Sequence, residues 1–348
     1  MNLRPILFAV SLLFYGLLQA EDWSFTKDVR PLLSDACFHC HGPDSKARKA
    51  KLRLDDRATA LKAGVLTNGE MIERLLSKDP DERMPPPESK RVLRPRDRAK
   101  LVQWLKAGAE WPEDDRHWAF VPPVKPDLPE VKNKKWAKGA IDRFILARLE
   151  KEGLKPSPEA DKYTLLRRVT FDLTGLPPSP EEIESFLTDQ SGDAYEKVVD
   201  RLLSSPHYGE QVASFWLDAA RYADTDGYQN DRTRYMWVWR DWVIRALNEN
   251  MPFDRFILEQ MAGDLLPRRN FMTQVASGYN RNHRINSEGG SIPDEWIVEY
   301  VADRVETLGT TFLGLTMNCA RCHDHKYDPV SQKDFYSLFA FFNGIDEA

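Results

Sequence analysis

All four cysteines of the 348-residue chain stand in two pairs, Cys37-Phe38-His39-Cys40-His41 and Cys319-Ala320-Arg321-Cys322-His323. Each pair reads C-x-x-C-H. Thiols three residues apart lie about one helical turn from each other, and the next residue brings an imidazole to the same side. This is the spacing for covalent attachment of a haem. The thiols add across the two vinyl groups of one porphyrin, and the imidazole ligates the iron. Three other chemistries use such pairs. Zinc would want further ligands near each pair, and a thioredoxin-like pair would want a β-α-β context. Disulfides would leave both trailing histidines without a role. Two matches that consume every cysteine favour two covalently attached haem c groups. Cys37, Cys40 and His41 would hold one, and Cys319, Cys322 and His323 the other.

An iron held by His41 needs one more ligand to become low-spin. Met84 lies 43 residues further on in Met84-Pro85-Pro86-Pro87, where the prolines exclude a regular helix and fix an extended loop. Of the competitors in this region, His39 sits inside the attachment loop, and Met71 falls in a helical stretch at 69–77 where its side chain suits core. Met84 is therefore the expected distal ligand. For the second iron the candidate is His283, in the polar run Asn280-Arg-Asn-His-Arg-Ile-Asn286, which precedes Glu288-Gly-Gly290. A loop histidine without a metal is the competing reading, and Met317, just ahead of Cys319, is a further candidate. His325 fits either a propionate partner or a polar surface residue. His207, Asp224 and Asp226, near Tyr222 and Tyr228, suit acid–base chemistry if they converge on one cleft, and helix caps or loop ties if they do not. Arg221, Arg232 and Arg234 could pair with propionates.

The elements that must position these groups read as helices. Val29, Leu32 and Leu33 run at helical spacing into the first motif, and Leu101, Val102 and Leu105 form a stripe behind Pro95, a proline suited to a helix start. Four prolines between Phe120 and Pro129 make a stiff linker. Beyond it Ile141, Phe144, Ile145 and Leu149 share a stripe, and Ser179-Pro180-Glu181-Glu182 is a helix start with cap, proline and acids in place. Amphipathic stretches follow near 193–204, 208–223, 236–249, 294–315 and 331–342. No run of alternating strands appears. The expected fold is mainly α: a leader at 1–20, a small cytochrome c-like domain at 21–112, a linker at 113–135 and a larger helical domain at 136–348.

Several of these segments resemble a known family. Phe25-Thr-Lys-Asp-Val-Arg-Pro-Leu-Leu33, the first motif through Gly42-Pro43, Leu52-Arg-Leu-Asp55 and Arg83-Met-Pro-Pro86 are similar to the planctomycete cytochrome c domain, over about residues 24–111. Leu173-Thr-Gly-Leu-Pro-Pro178, Ser205-Pro-His-Tyr-Gly209, Trp216-Leu-Asp218, Arg221 to Tyr228, Asn286 with Glu288-Gly-Gly290, and Cys319 to Pro329 resemble the uncharacterised domain that follows it. The resemblance implies the methionine of the Met-Pro-Pro loop, here Met84, as distal ligand. It assigns no reaction to the second domain. Proteins of this type usually continue into a third domain.

The bulk properties bound the function. An apolar run from Ile6 to Leu18 behind Arg4, ending at Gln19-Ala20 and followed by Glu21-Asp22, reads as a secretion signal cleaved after Ala20. Export to the periplasm or cell envelope follows, with membrane association only if the leader stays on. The formal charge is −5, and removing Arg4 with the leader makes it −6. Acidic and basic residues are mixed, with no basic tract of nucleic-acid type. The expected activity is electron transfer between redox partner proteins through two haems. Its rival is a haem-dependent oxidoreductase with a substrate in the second domain, and a zinc-binding module is the third class.

Overall fold

The computed structural model of the chain describes residues 24–45, 47–112, 118–326 and 328–346. The leader and His117 lie outside them. Among the described residues the fold is mainly helical, with fifteen α-helices and no strand. Thr225 and Thr233 form an isolated antiparallel bridge. The chain divides into two compact units, Met1–Pro123 and Val124–Ala348, at a break inside the proline-rich stretch.

In the first unit a π-helical turn, Phe25–Val29, leads into α1 (Arg30–Ala36) and α2 (Phe38–His41). Then come α3 (Arg57–Ala63), α4 (Glu70–Leu76) and α5 (Pro95–Lys106). Their apolar faces close one core around Val29, Leu33, Leu75 and Leu101, which are at most 1 % exposed. Burying each such side chain contributes about 1.5–3 kcal/mol. The stripe expected on α5 is the face that is buried, with Trp104 added to it. Phe25 stacks on Trp111, ring centroids 4.5 Å apart, and so joins the two ends of the unit. The Asp56 carboxylate caps α3 by accepting from the Thr59 N–H at 2.8 Å, and Gly64 ends it at φ +75°.

The second unit holds α6 (Ala140–Lys151), α7 (Lys162–Thr174), α8 (Pro180–Thr188), α9 (Ala194–Leu203) and α10 (Pro206–Ala219). It continues with α11 (Trp237–Asn248), α12 (Phe253–Ala262), α13 (Phe271–Ala276), α14 (Pro293–Leu308) and α15 (Gln332–Phe342). One core packs around Trp239, Trp242 and Val243 of α11. A second joins α14 to α15 through Val301, Val305 and Phe335, and a third seats Phe186 of α8 on α7 and α9. The Ser179 start of α8 is a reciprocal capping box, in which Ser179 Oγ accepts from Glu182 N and Glu182 Oε2 from Ser179 N.

Two elements depart from the pattern read in the sequence. α6 forms, but Leu146 is its buried residue, while Ile141 and Ile145 are 78 % and 52 % exposed. The helix is tied down by polar groups instead: Glu150 accepts from the Lys132 and Asn133 N–H groups. α10 stops at Ala219, short of the amphipathic pattern, because Arg221 turns the chain at φ +57°.

Candidate haem centres

The two motifs adopt the same turn. In the first, the Cys40 and His41 N–H groups both donate to the Cys37 carbonyl, at 3.1 and 2.8 Å. In the second, Cys322 and His323 donate to the Cys319 carbonyl at 3.3 and 3.4 Å. One helical turn thus carries both thiols, and the imidazole follows directly. All four cysteines are free thiols.

Around the first turn the chain folds back closely. Lys49 N–H donates to the Cys40 carbonyl and Leu54 N–H to that of His41, both at 2.7 Å, while Arg48 clamps the Gly42 and Pro43 carbonyls. Gly42 is required here, since a Cβ would meet the Phe38 carbonyl oxygen at 2.2 Å. Burial, and then the neighbouring Cys40, push the Cys37 thiol up to about 12. His41 is held below the ordinary imidazole range, mainly by burial and further by the Arg74 charge. The nearby Lys49 backbone pulls it partly back up, and His41 Nδ1 is buried with no bonded partner.

Met84 follows α4 in an irregular loop and is half-buried. Its N–H donates to the carbonyl of Arg74 at 2.9 Å, and Arg74 is the cation felt by His41. One residue of α4 therefore links the methionine loop to the imidazole. Met71, on α4 itself, packs against the core, and His39 is exposed.

At the second turn, Asn318–Arg321, both thiols and His323 are exposed. His323 Nδ1 lies 2.8 Å from the Asp324 carbonyl, so Nδ1 carries the proton and Nε2 keeps its lone pair outward, as a proximal ligand requires. His325 is not a surface residue. It is 6 % exposed, its Nδ1 accepts from Asp328 N–H at 2.9 Å, and its own N–H donates to the Val330 carbonyl, closing the loop behind the motif. The residues of each turn thus fit haem c: paired thiols on one turn followed by an imidazole whose Nε2 makes no protein hydrogen bond.

His283 is 1 % exposed and stacks on Tyr300. Its Nε2 lies 2.8 Å from Arg304 Nη2 and its Nδ1 2.9 Å from the Arg284 carbonyl. A guanidinium only donates, so Nε2 is the acceptor and Nδ1 the N–H. Both nitrogens are used, and in this geometry neither is offered to an iron. The reason is burial: the polar run read as an exposed loop is folded under α14, where an imidazole needs two partners. Met317 is likewise in core, 2 % exposed among Val301, Val305 and Phe335.

His207, Asp224 and Asp226 do not converge. His207 lies exposed on α10 beside Glu210, at 2.7 Å, and Asp224 takes the hydroxyl of Tyr222, whose phenol burial and this bond raise to about 12. Asp226 instead lines a cavity of about 370 Å³, together with Arg221, Asn282, Asp303 and Glu306. Asn318 and Arg321 of the second turn form part of its wall, while the thiols and His323 do not. Arg321 makes a two-pronged bond to Glu299, which holds that carboxyl below its usual range. Arg221 pairs with Asp303, and Arg234 donates to the His283 and Arg281 carbonyls. Reading single motifs missed this site. Its signal was Glu299, Asp303 and Glu306 at i, i+4 and i+7, one face of α14.

Among the described residues no three His, Cys, Asp or Glu side chains gather as a metal cage. Residues 37–88 match the family described as Planctomycete cytochrome C. The first unit is thus a cytochrome c-like domain of the kind that binds haem c covalently. Residues 140–347, more than half of the chain, match the family described as protein of unknown function (DUF1549), and the chain belongs to that family. No curated protein and no solved structure matches it.

Proposed function

We propose that the chain is an exported dihaem c-type cytochrome that passes single electrons between redox partner proteins. The observation that carries this is that two distant C-x-x-C-H sequences fold into the same turn, each with free thiols and a following imidazole. Cys37, Cys40 and His41 hold the first haem, with Met84 as its distal ligand. Cys319, Cys322 and His323 hold the second. Bound there, the haems supply one-electron chemistry, and the protein sets their potentials through ligand, burial and hydrogen bonds. Export rests on the leader, and among the described residues no helix is long and apolar enough to cross a membrane.

Mass spectrometry of protein matured with cytochrome c assembly factors tests the reading. The expected mass increase is that of two haems, surviving acid denaturation, and Cys319→Ala with Cys322→Ala leaves one. A single haem in the unaltered chain, or bound zinc, refutes it.

One observation favours a second reading, in which the second haem acts on a substrate. His283 and Met317 are both committed elsewhere, and a cavity adjoins the second turn. In that case carbon monoxide and cyanide change the spectrum of the second haem and leave the first, Met84-ligated one unaltered.

A further inference from the structure

The cavity beside the second motif has a wall whose charges cancel. Arg221, Arg234, Arg284 and Arg321 face Asp226, Glu299, Asp303 and Glu306. Most are already matched: Arg221 with Asp303, Arg321 with Glu299, and Arg234 with Asp226 at 3.9 Å. Arg284 spreads its charge over the rings of Tyr228 and Trp296, 5.7 and 5.6 Å away. Over the wall as a whole a small anion or cation therefore finds no excess of opposite charge.

The hydrogen-bonding capacity of the same wall is not matched. Asn282 is 4 % exposed, and both its Oδ1 and Nδ2 are buried without a partner. Glu306 Oε2 and Arg221 Nε are in the same condition. Buried polar atoms are nearly always bonded, so four such atoms on residues around one cavity demand an explanation. Two of them accept and two donate. None of the four is open to water as the cavity stands, so a ligand reaches them only as these side chains turn toward it, and it must then donate and accept at close spacing. Hydroxyl groups do both. The volume, about 370 Å³, sits at the small end of ligand sites, roughly 300–1,000 Å³.

We infer that this cavity binds a neutral, polyhydroxylated small molecule of sugar-ring size, held by Asn282, Glu306 and Arg221. Arg321 lies between Cys319 and Cys322, so the occupant sits one side chain from the haem attachment turn. The inference rests on the second reading above only for the purpose of the site. Binding is measured as heat and haem number as mass, so each fails separately.

Isothermal titration calorimetry on the full-length haem-loaded protein tests it, with D-glucose, D-galactose, D-mannose and D-xylose as probes and succinate, inorganic phosphate and glycine as charged comparisons. The expected result is saturable binding of at least one sugar, about tenfold or more tighter than any charged probe. Asn282→Ala weakens it about tenfold or more, through loss of a donor and an acceptor together. Glu306→Gln, which keeps the shape of the side chain, weakens sugar and leaves the wall one positive charge in excess, so that succinate binding rises. No saturable heat from any sugar, or tighter binding of a charged probe by the unaltered protein, overturns the inference. If Asn282→Ala does not fold, an unchanged sugar affinity in Glu306→Gln overturns it alone.

Discussion

The two C-x-x-C-H turns share a backbone and differ in everything around it. At the first, the thiols are half-buried, the chain returns through Lys49 and Leu54 to cover the turn, and the methionine loop hangs from α4. At the second, the thiols and imidazole are exposed, and the buried polar groups lie behind the turn, around His325 and the adjoining cavity. Local sequence thus sets the attachment chemistry, while the surroundings set what the iron can do. A covered site with a thioether ligand raises the potential and resists exogenous ligands, and an open one does neither.

The largest expected effect breaks this contrast at the iron itself. Met84→Ala removes the sulfur-to-iron absorption of the first haem and lowers its potential or turns it high-spin, while His283→Gln leaves the spin state of the second haem as it was. Optical and paramagnetic resonance spectra of the oxidised protein read both. An unchanged first haem would show that another residue holds that iron. A changed second haem would put His283 in its ligand set despite the bond from Arg304.

Much of this was legible before the fold was known, and the boundary is instructive. The helices behind Pro95 and Ser179 were readable because caps and stripes are local. The attachment turns were readable because their chemistry needs only five consecutive residues. The surroundings of His283 were not readable, because polarity in sequence does not distinguish a solvated loop from a buried network. Its partners, Arg304 and the Arg284 carbonyl, are set by the packing of α14. The apolar stripe of α6 misled for the opposite reason, since periodicity shows a face and not whether anything covers it.

A middle-sized effect sharpens the comparison through two glycines, one directly after the first turn and one at the end of α14 packed on Met317. A Cβ on Gly42 meets a backbone oxygen at 2.2 Å, and one on Gly309 meets Met317 Cγ at 2.2 Å and the Leu315 carbonyl oxygen at 3.0 Å. The Phe38 carbonyl cannot step aside without opening the turn, whereas at Gly309 the severe clash is with a methionine side chain and the Leu315 carbonyl need give only a few tenths of an ångström. Gly42→Ala is therefore expected to cost about 3 kcal/mol and Gly309→Ala about 1 kcal/mol, the two ends of the overpacking range. Urea unfolding followed at the haem absorption of each site measures the difference, and equal costs would mean that the turn at Gly42 yields as easily as the side chain does.

The smallest effect concerns a cap near each turn. Asp56 begins α3 in the first unit, and its carboxyl is held below its ordinary 3.8 by bonds from the Thr59 hydroxyl and N–H, which favour the charged form. Asp334 in the capping box of α15 is lowered in the same way by Ser331, but lies almost wholly in solvent. A carboxyl lowered on folding adds stability that is fully present above its unfolded value and is lost as pH falls through the lower folded value. At neutral pH Asp56→Ala should cost about 1 kcal/mol, typical of a lost N-cap, seen as faster hydrogen exchange of the α3 amides. As pH falls through the lowered folded value the variant and the parent should converge. Asp334→Ala should show the same convergence with a smaller gap at neutral pH, because water screens an exposed carboxylate. A gap at Asp56 that persists undiminished at low pH would mean that the bond to Thr59 survives protonation, and that the cap acts there by shape rather than by charge.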